Sequence, residues 1–288
     1  MDFLPDTSAF NPENAGKNFG EVFPEIQKEW EQERTNLVAL LEKYGVEVLR
    51  PRKMTDNEKT SVGAFGASNF FVRDPFFTVG RYVIEGSMRF FHRRNEVLPV
   101  RPVLTAQTMD SDAVYVAVPR ADTSEGFDSE AGPFLEGGDV LVYGKKVFVG
   151  NSGLASNEAG YLWLKNLLKH DGYEVTMVPL LPNVLHLDCA MSLVRDGLMI
   201  VAEKALLNGI PDTFADWDKI ILEPETIQYL TINGLPINES TYIADPAFKD
   251  NVGVELEKRG IKVEYIDFHN SRGFGGSFRC STQPLLRE

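Results

Sequence analysis

Hydrophobic positions along the chain alternate between two rhythms. In NLVALLEKYGVEVLRP, YLWLKNLLKHDGYEVTMVPL and LEKRGIKVEYIDF, leucines fall at helical spacing, a glycine follows (Gly45, Gly172, Gly260), and a β-branched run comes next. That pattern predicts an amphipathic helix, a left-handed cap at the glycine and a short strand. Between these units lie strand–turn–strand segments that open on an acid. RDPFFTVGRYVIEG starts at Asp74 and turns at Gly80-Arg81; GGDVLVYGKKVFVG starts at Asp139 and turns near Gly144-Lys145; LDCAMSLVRDGLMIVA starts at Asp188 and turns at Asp196-Gly197. Strand pairs alternating with helix-then-strand units predict an α/β architecture of repeated modules. If the modules pack around a pseudo-rotation axis, their strand starts converge and carry several carboxylates into one pocket.

Other stretches read differently. Residues 1–30 and 119–132 are loop candidates, the latter rich in Gly, Ser, Asp and Glu, and 203–250 reads as a long excursion with short helices. A helix is expected around Gln27–Tyr44, with only polar, loop-like sequence before it. No linker is evident, so residues 1–288 are expected to form a single domain whose first 25 residues are loop-like.

Composition narrows the function classes. Hydrophobic residues make up 43% and charged residues 25%, as in a soluble globular chain. Lys+Arg 29 against Asp+Glu 42 leaves a net charge of -13 with no basic run, which disfavours nucleic acid and anionic membranes and favours cationic small molecules. No apolar stretch approaches the ~20 residues of a bilayer span, and the N-terminus lacks the build of a signal peptide. The two cysteines, Cys189 and Cys280, lack CxxC or His–Cys spacing, so neither a disulfide framework nor a zinc site is expected. No GxGxxG or GxxxxGK[ST] loop is present. A cytoplasmic enzyme is the expectation.

Chemistry-bearing residues cluster in the acid-opening segments and at the C-terminus. Cys280 lies in GFGGSFRCST, where glycines allow close backbone approach and Arg279 is placed to hold a thiolate. A small buried hydrophobe is the commoner fate of a cysteine, but the polar, glycine-rich surroundings argue for a nucleophile. In VLHLDCAMSL, His186 and Asp188 are two apart, so in a strand they would share a face and suit proton transfer beside an acid. His269 is the runner-up base. Asp74 is either paired with Arg73 or presented to a ligand, and Glu136 and Asp139 enter their strand through Gly-Gly, where turn capping is the competing role. Carboxylates grouped around one histidine and one cysteine suit a planar guanidinium, which they bind through paired, charge-assisted hydrogen bonds.

The ordered set FFVRDP, FLEGGDVLVYGKKVFVG, HLDCAMSL and GGSFRCSTQPLLRE resembles the guanidine-modifying superfamily of amidinotransferases, arginine deiminases and dimethylarginine hydrolases. The resemblance runs from about Asn36 to the C-terminus and is closest in feel to glycine amidinotransferase-like proteins. It implies a pentein-type α/β propeller of ββαβ modules around a pseudo-fivefold axis with the site at its centre. It further implies that Cys280 attacks the guanidinium carbon and His186 protonates the departing amine, leaving an amidino group on sulfur. Glu136 then supports His186 or the substrate, Asp74 and Asp188 grip the guanidinium, and Asp139 joins the substrate-binding set. Arg93, with Arg89 or Arg94 as alternatives, is the candidate for a substrate carboxylate, and a solvated helix face is the commoner fate of such a basic group. Such chemistry needs no metal and no cofactor.

The segments VGRYVIEGSMRFFHRRNE and GNSGLASNEAGYLWLKNLL lean towards transfer to an amine, whereas RCSTQPLLRE has a deiminase character, with water as the second nucleophile. The implied partners are a guanidine donor and an amine acceptor, with homo-oligomer formation left open. A non-catalytic binding member of the same fold is the competing class, and the complete Cys/His/acid set argues against it.

Overall fold

A computed structural model describes residues 12–61, 66–126 and 128–286. The N-terminal region is helical: α1 (Phe19–Val22), α2 (Pro24–Lys43) and α3 (Asp56–Thr60). Residues 19–22 and 24–25 are therefore helical and not loop, and the start of α2 follows from Pro24, whose fixed φ and missing N–H suit a first helical turn. Residues 1–11 of the expected loop lie outside the described residues. α2 buries Leu37 and Leu41. Gly45 ends this unit with φ 78°, but the β-branched run after it forms no strand; Val46 and Leu49 face solvent without a pairing neighbour.

Among the described residues, the strands form four three-stranded sheets built alike. In the first, β1 (Phe76–Val79) and β2 (Tyr82–Glu85) make a hairpin, α4 (Arg101–Met109) crosses over, and β3 (Val114–Ala117) returns parallel to β2. The second repeats this with β4 (Val140–Tyr143), β5 (Lys146–Asn151), α5 (Glu158–Leu168) and β6 (Glu174–Pro179). The third opens on a single helical turn, α6 (Leu187–Ala190), before the hairpin of β7 (Met191–Arg195) and β8 (Leu198–Val201); 3-10 turns replace the crossover helix, and β9 (Asp218–Ile221) returns. The fourth comprises β10 (Leu235–Asn238), β11 (Thr241–Ala244), α7 (Val254–Lys258) and β12 (Lys262–Tyr265), followed by α8 (His269–Gly273).

Three of the hairpins turn where the sequence predicts. The fourth, with β9, occupies the segment expected to be a helical excursion. Its turn at Glu239-Ser240 has no glycine, and Pro236 sits where the register slips, so the usual hairpin signals are missing. Gly172 and Gly260 cap their helices with φ 74° and 75°, as the pattern predicts. The largest core surrounds the third sheet, where Met199, Ile200 and Val201 are wholly buried. Among the described residues, no helix is long and apolar enough to cross a membrane.

Candidate active site

The repeat places chemistry at one recurring position, just ahead of each hairpin. Asp74 precedes β1, Glu136 and Asp139 bracket a 3-10 turn before β4, His186 caps α6 before β7, and Asn233 precedes β10. Hydrogen bonds and one ion pair link these positions in series. His186 Nε2 lies 2.9 Å from Glu136 Oε2, and its Nδ1 lies 3.7 Å from Asp74 Oδ1. The Leu187 amide donates to Asp139 Oδ1 at 3.0 Å. Asn233 donates to the Asp188 carbonyl at 3.3 Å and accepts from the Cys280 amide at 3.2 Å. The Cys280 carbonyl accepts from the Arg73 amide at 3.1 Å, which returns to the start of the first module. Asp74, Glu136, Asp139, His186, Asp188 and Cys280 are all buried.

Two glycines explain why the Glu136 turn reads Gly-Gly. A Cβ on Gly137 would stand 2.0 Å from the Arg73 carbonyl oxygen; one on Gly138 would stand 2.7 Å from Asp74 Oδ1 and from the His186 ring. The backbone itself therefore walls the imidazole. Gly138→Ala is expected to fold with a loss of about 1–3 kcal/mol and, by displacing the ring, to lower kcat/KM by about 10²-fold. Thermal unfolding beside steady-state kinetics checks this; unaltered kinetics would show that the ring does not depend on this wall.

Charge is arranged around the histidine. Burial disfavours the imidazolium, but Asp74, the Glu136 hydrogen bond and Asp139 outweigh it and push His186 up to about 10. His186 is therefore a cation at neutral pH. Burial works to raise the Asp74 carboxyl, yet His186 and Arg93 hold it below the usual carboxylate range. Burial raises Asp188 despite Arg279 and His186. Burial, then Asp188 and Asp74, push the Cys280 thiol well above its usual range, so it rests protonated. Because the folded value of His186 exceeds its ordinary 6.5, its contribution to stability is complete below pH 6.5 and is lost as pH rises through about 10. Thermal unfolding of His186→Gln across that window is expected to decline less steeply than that of the parent chain; parallel declines would contradict the imidazolium.

Several expected roles change once contacts are visible. His186 and Asp188 do not share a strand face: one caps α6 and the other lies within its turn, with Asp188 Oδ2 3.1 Å from Arg279 Nε. Arg279 thus pairs with Asp188 instead of holding a Cys280 thiolate. Both Asp139 oxygens accept backbone amides, from Leu187 and from Ser156 at 3.2 Å, so this acid braces the turn that carries His186 instead of facing a ligand. Arg93 is engaged by Asp74 at 2.8 Å and by both oxygens of Glu96 at 2.9 Å. Arg89 pairs with Glu130, and Arg94 donates to the carbonyls of Met88, Arg89 and Ser129. His269 stands half exposed beside Asp267.

Glu96 and Asn233 are site residues the sequence reading did not single out. Glu96 follows Arg93 at a spacing of three, and burial pushes its carboxyl up to about 7. Asn233 stands in an Asn-Gly pair, and a Cβ on Gly234 would meet the Tyr242 ring at 2.3 Å. Asp74, Glu136 and His186 offer three ligand atoms within 4.8 Å of one another. Arg93 and the imidazolium already supply cations to that group, so its charge is met by the chain's own residues.

The arrangement has the parts for nucleophilic chemistry on a cation: a buried thiol, an imidazolium, and carboxylates with remaining acceptor capacity. Asp74 Oδ1 is buried with no hydrogen-bond partner among the described residues.

Comparison with known proteins agrees in kind. YkgA of Bacillus subtilis (strain 168), an uncharacterized protein, is 29% identical over 218 residues, 75% of this chain and 69% of YkgA. Inosamine-phosphate amidinotransferase 1 of Streptomyces glaucescens is 27% identical over 290 residues, 91% of this chain and 81% of the enzyme. Among solved structures, SxtG, an amidinotransferase from Microseira wollei in the saxitoxin biosynthetic pathway, superposes with a TM-score of 0.79 at 22% identity. It covers 92% of this chain and 85% of its own, and shows a shared fold. A family model described as arginine deiminase matches residues 66–229. Since that match spans more than half of the 288 residues, the chain belongs to the arginine deiminase family, within the guanidine-modifying superfamily that also holds amidinotransferases.

Proposed function

We propose that the chain transfers an amidino group from L-arginine, or a related guanidine compound, to an amine through an S-amidino-Cys280 intermediate. The observation that carries this reading is the buried Asp74 Oδ1, which accepts no hydrogen bond among the described residues and lies 3.7 Å from the cationic His186, at a site where the protein's own guanidinium groups already rest on Asp74 and Asp188. These two acids are suited to a planar guanidinium, since each already accepts one from Arg93 or Arg279. A guanidinium bound there brings positive charge beside the sulfur and offsets the acids that hold the thiol protonated. The thiol proton then leaves to solvent, and the thiolate attacks the guanidinium carbon.

His186 gives its proton to the departing amine as the carbon–nitrogen bond breaks, leaving the amidino group on sulfur. The neutral imidazole next takes a proton from the incoming amine as that amine attacks and the carbon–sulfur bond breaks. Glu136 orients the imidazole through its 2.9 Å hydrogen bond, and Asp139 fixes the turn beneath it. No step calls on a metal or an organic cofactor. In this reading the four modules close around the site, with α2 and the C-terminal Cys280 segment in the place of a fifth, in a single cytoplasmic domain.

Amine rather than water as the second nucleophile is supported by the relatives: inosamine-phosphate amidinotransferase 1 aligns with 91% of the chain, and SxtG with 92%. The arginine deiminase family match favours the second reading, in which water resolves the adduct. Mass spectrometry of products from arginine, with and without an amine panel including glycine and lysine, separates the two. Ornithine with a new guanidino compound, formed only when an amine is present, is the expected result. Citrulline and ammonia in the absence of amine would make the chain a deiminase.

A further inference from the structure

One turn apart on α2, Trp30 and Arg34 stack, with the Arg34 guanidinium carbon 4.9 Å from the Trp30 ring centre. The same carbon lies 5.0 Å from the Phe268 ring centre and 5.8 Å from that of Phe71. Inside this aromatic box three donors are buried without an acceptor among the described residues: Trp30 Nε1, Arg34 Nε and Arg34 Nη2. None of the three can act as an acceptor, so they cannot satisfy one another. The adjacent acid does not serve them, because Glu33 Oε1 accepts from the Asn270 amide and Oε2 from the Ser271 amide and hydroxyl. Burial pulls Arg34 down to about 10, still well above neutrality, so it is a cation with Nε and Nη2 shut off from water. Buried charged donors of this kind call for an anionic acceptor.

The box borders the reactive cysteine. Arg34 and Cys280 lie within electrostatic reach of one another. Phe71 packs against the cysteine loop so closely that a Cβ on Gly276 would stand 2.4 Å from its ring. The arginines expected to meet a substrate carboxylate are engaged instead: Arg93 with Asp74 and Glu96, Arg89 with Glu130, and Arg94 with three backbone carbonyls. We propose that Arg34, with the Trp30 indole N–H beside it, receives the carboxylate of a guanidino amino acid whose guanidinium is held at Asp74 and Asp188. This assignment rests on the amidino-transfer reading and makes α2, an element outside the four sheets, the part of the chain that selects amino-acid donors over decarboxylated ones.

The test compares L-arginine with agmatine, which lacks the carboxylate, in the parent chain and in Arg34→Gln and Arg34→Lys. The parent chain is expected to prefer arginine. Arg34→Gln should lower kcat/KM for arginine by about 10–100-fold, through KM, and leave agmatine unchanged; Arg34→Lys should restore part of the loss. A merely structural arginine would depress both donors together, so a parallel fall overturns the assignment, as does an unchanged preference or a parent chain that favours agmatine. A parent chain inert towards both donors contradicts the guanidine-donor reading itself and takes the assignment with it.

Discussion

Cys280→Ala is expected to abolish turnover of guanidino substrates while leaving the folded chain intact. The side chain is buried, but the contacts that tie its loop into the fold come from its backbone, the amide to Asn233 and the carbonyl from Arg73, and alanine keeps both. Losing one sulfur from a packed position costs about 1 kcal/mol, within the reserve of an ordinary domain. The chemical loss is of another order: removing a covalent nucleophile lowers rates on the order of 10⁴-fold or more. Cys189 supplies the control. It is buried near the same acid, its thiol 3.6 Å from Asp188 Oδ1, and burial holds it well above the usual thiol range. Cys189→Ser keeps a donor of similar size and should retain most activity. A normally folded Cys189→Ser variant without turnover, beside an active Cys280→Ala, would exchange the two assignments.

The second large effect is at the histidine. His186→Gln should lower kcat by about 10²–10⁴-fold, because a neutral amide can hold Glu136 but cannot surrender a proton to a leaving amine. The sign of the pH dependence follows from the protonated form being the competent one. With His186 pushed up to about 10, turnover by the parent chain should fall as pH rises through that value, and His186→Gln should lack this limb. A donor whose leaving nitrogen is less basic should be less damaged by the substitution. Full activity in His186→Gln with an unchanged alkaline limb would assign the proton to another group. Glu96, pushed up to about 7, titrates too low to mimic that limb.

What could be read from the sequence was what strands and turns write locally. Glycines at 80, 144 and 197 mark three hairpins, and glycines at 45, 172 and 260 all take the left-handed conformation that the helix ends require. The fourth hairpin escaped because its turn is Glu239-Ser240 and its register slips beside Pro236. The run after Gly45 has strand composition and no pairing neighbour, and strand propensity without a partner decides nothing. A helical crossover in the third sheet was not to be had from local pattern either, since 3-10 turns do its work.

The site divides in the same way. That acids open the hairpins is visible in the sequence; which of them turns inward to a ligand and which to a backbone amide is set by neighbours distant along the chain. Asp139 is held by Leu187, 48 residues on, and Asp188 by Arg279, 91 residues on. Asn233, which bridges Asp188 and Cys280, has no signal beyond an Asn-Gly pair. Glu96 had one, its spacing from Arg93, but a pair three residues apart is common on solvated faces and gains meaning only when both are buried.

The most direct test of covalent amidino transfer is intact-protein and peptide mass spectrometry after rapid acid quenching of the chain with L-arginine in the absence of any amine. A mass increase of one amidino group is expected on the peptide containing Cys280, absent from Cys280→Ala and discharged when an accepting amine is added. Product formation without any adduct on Cys280, or an adduct that maps to Cys189, would contradict it.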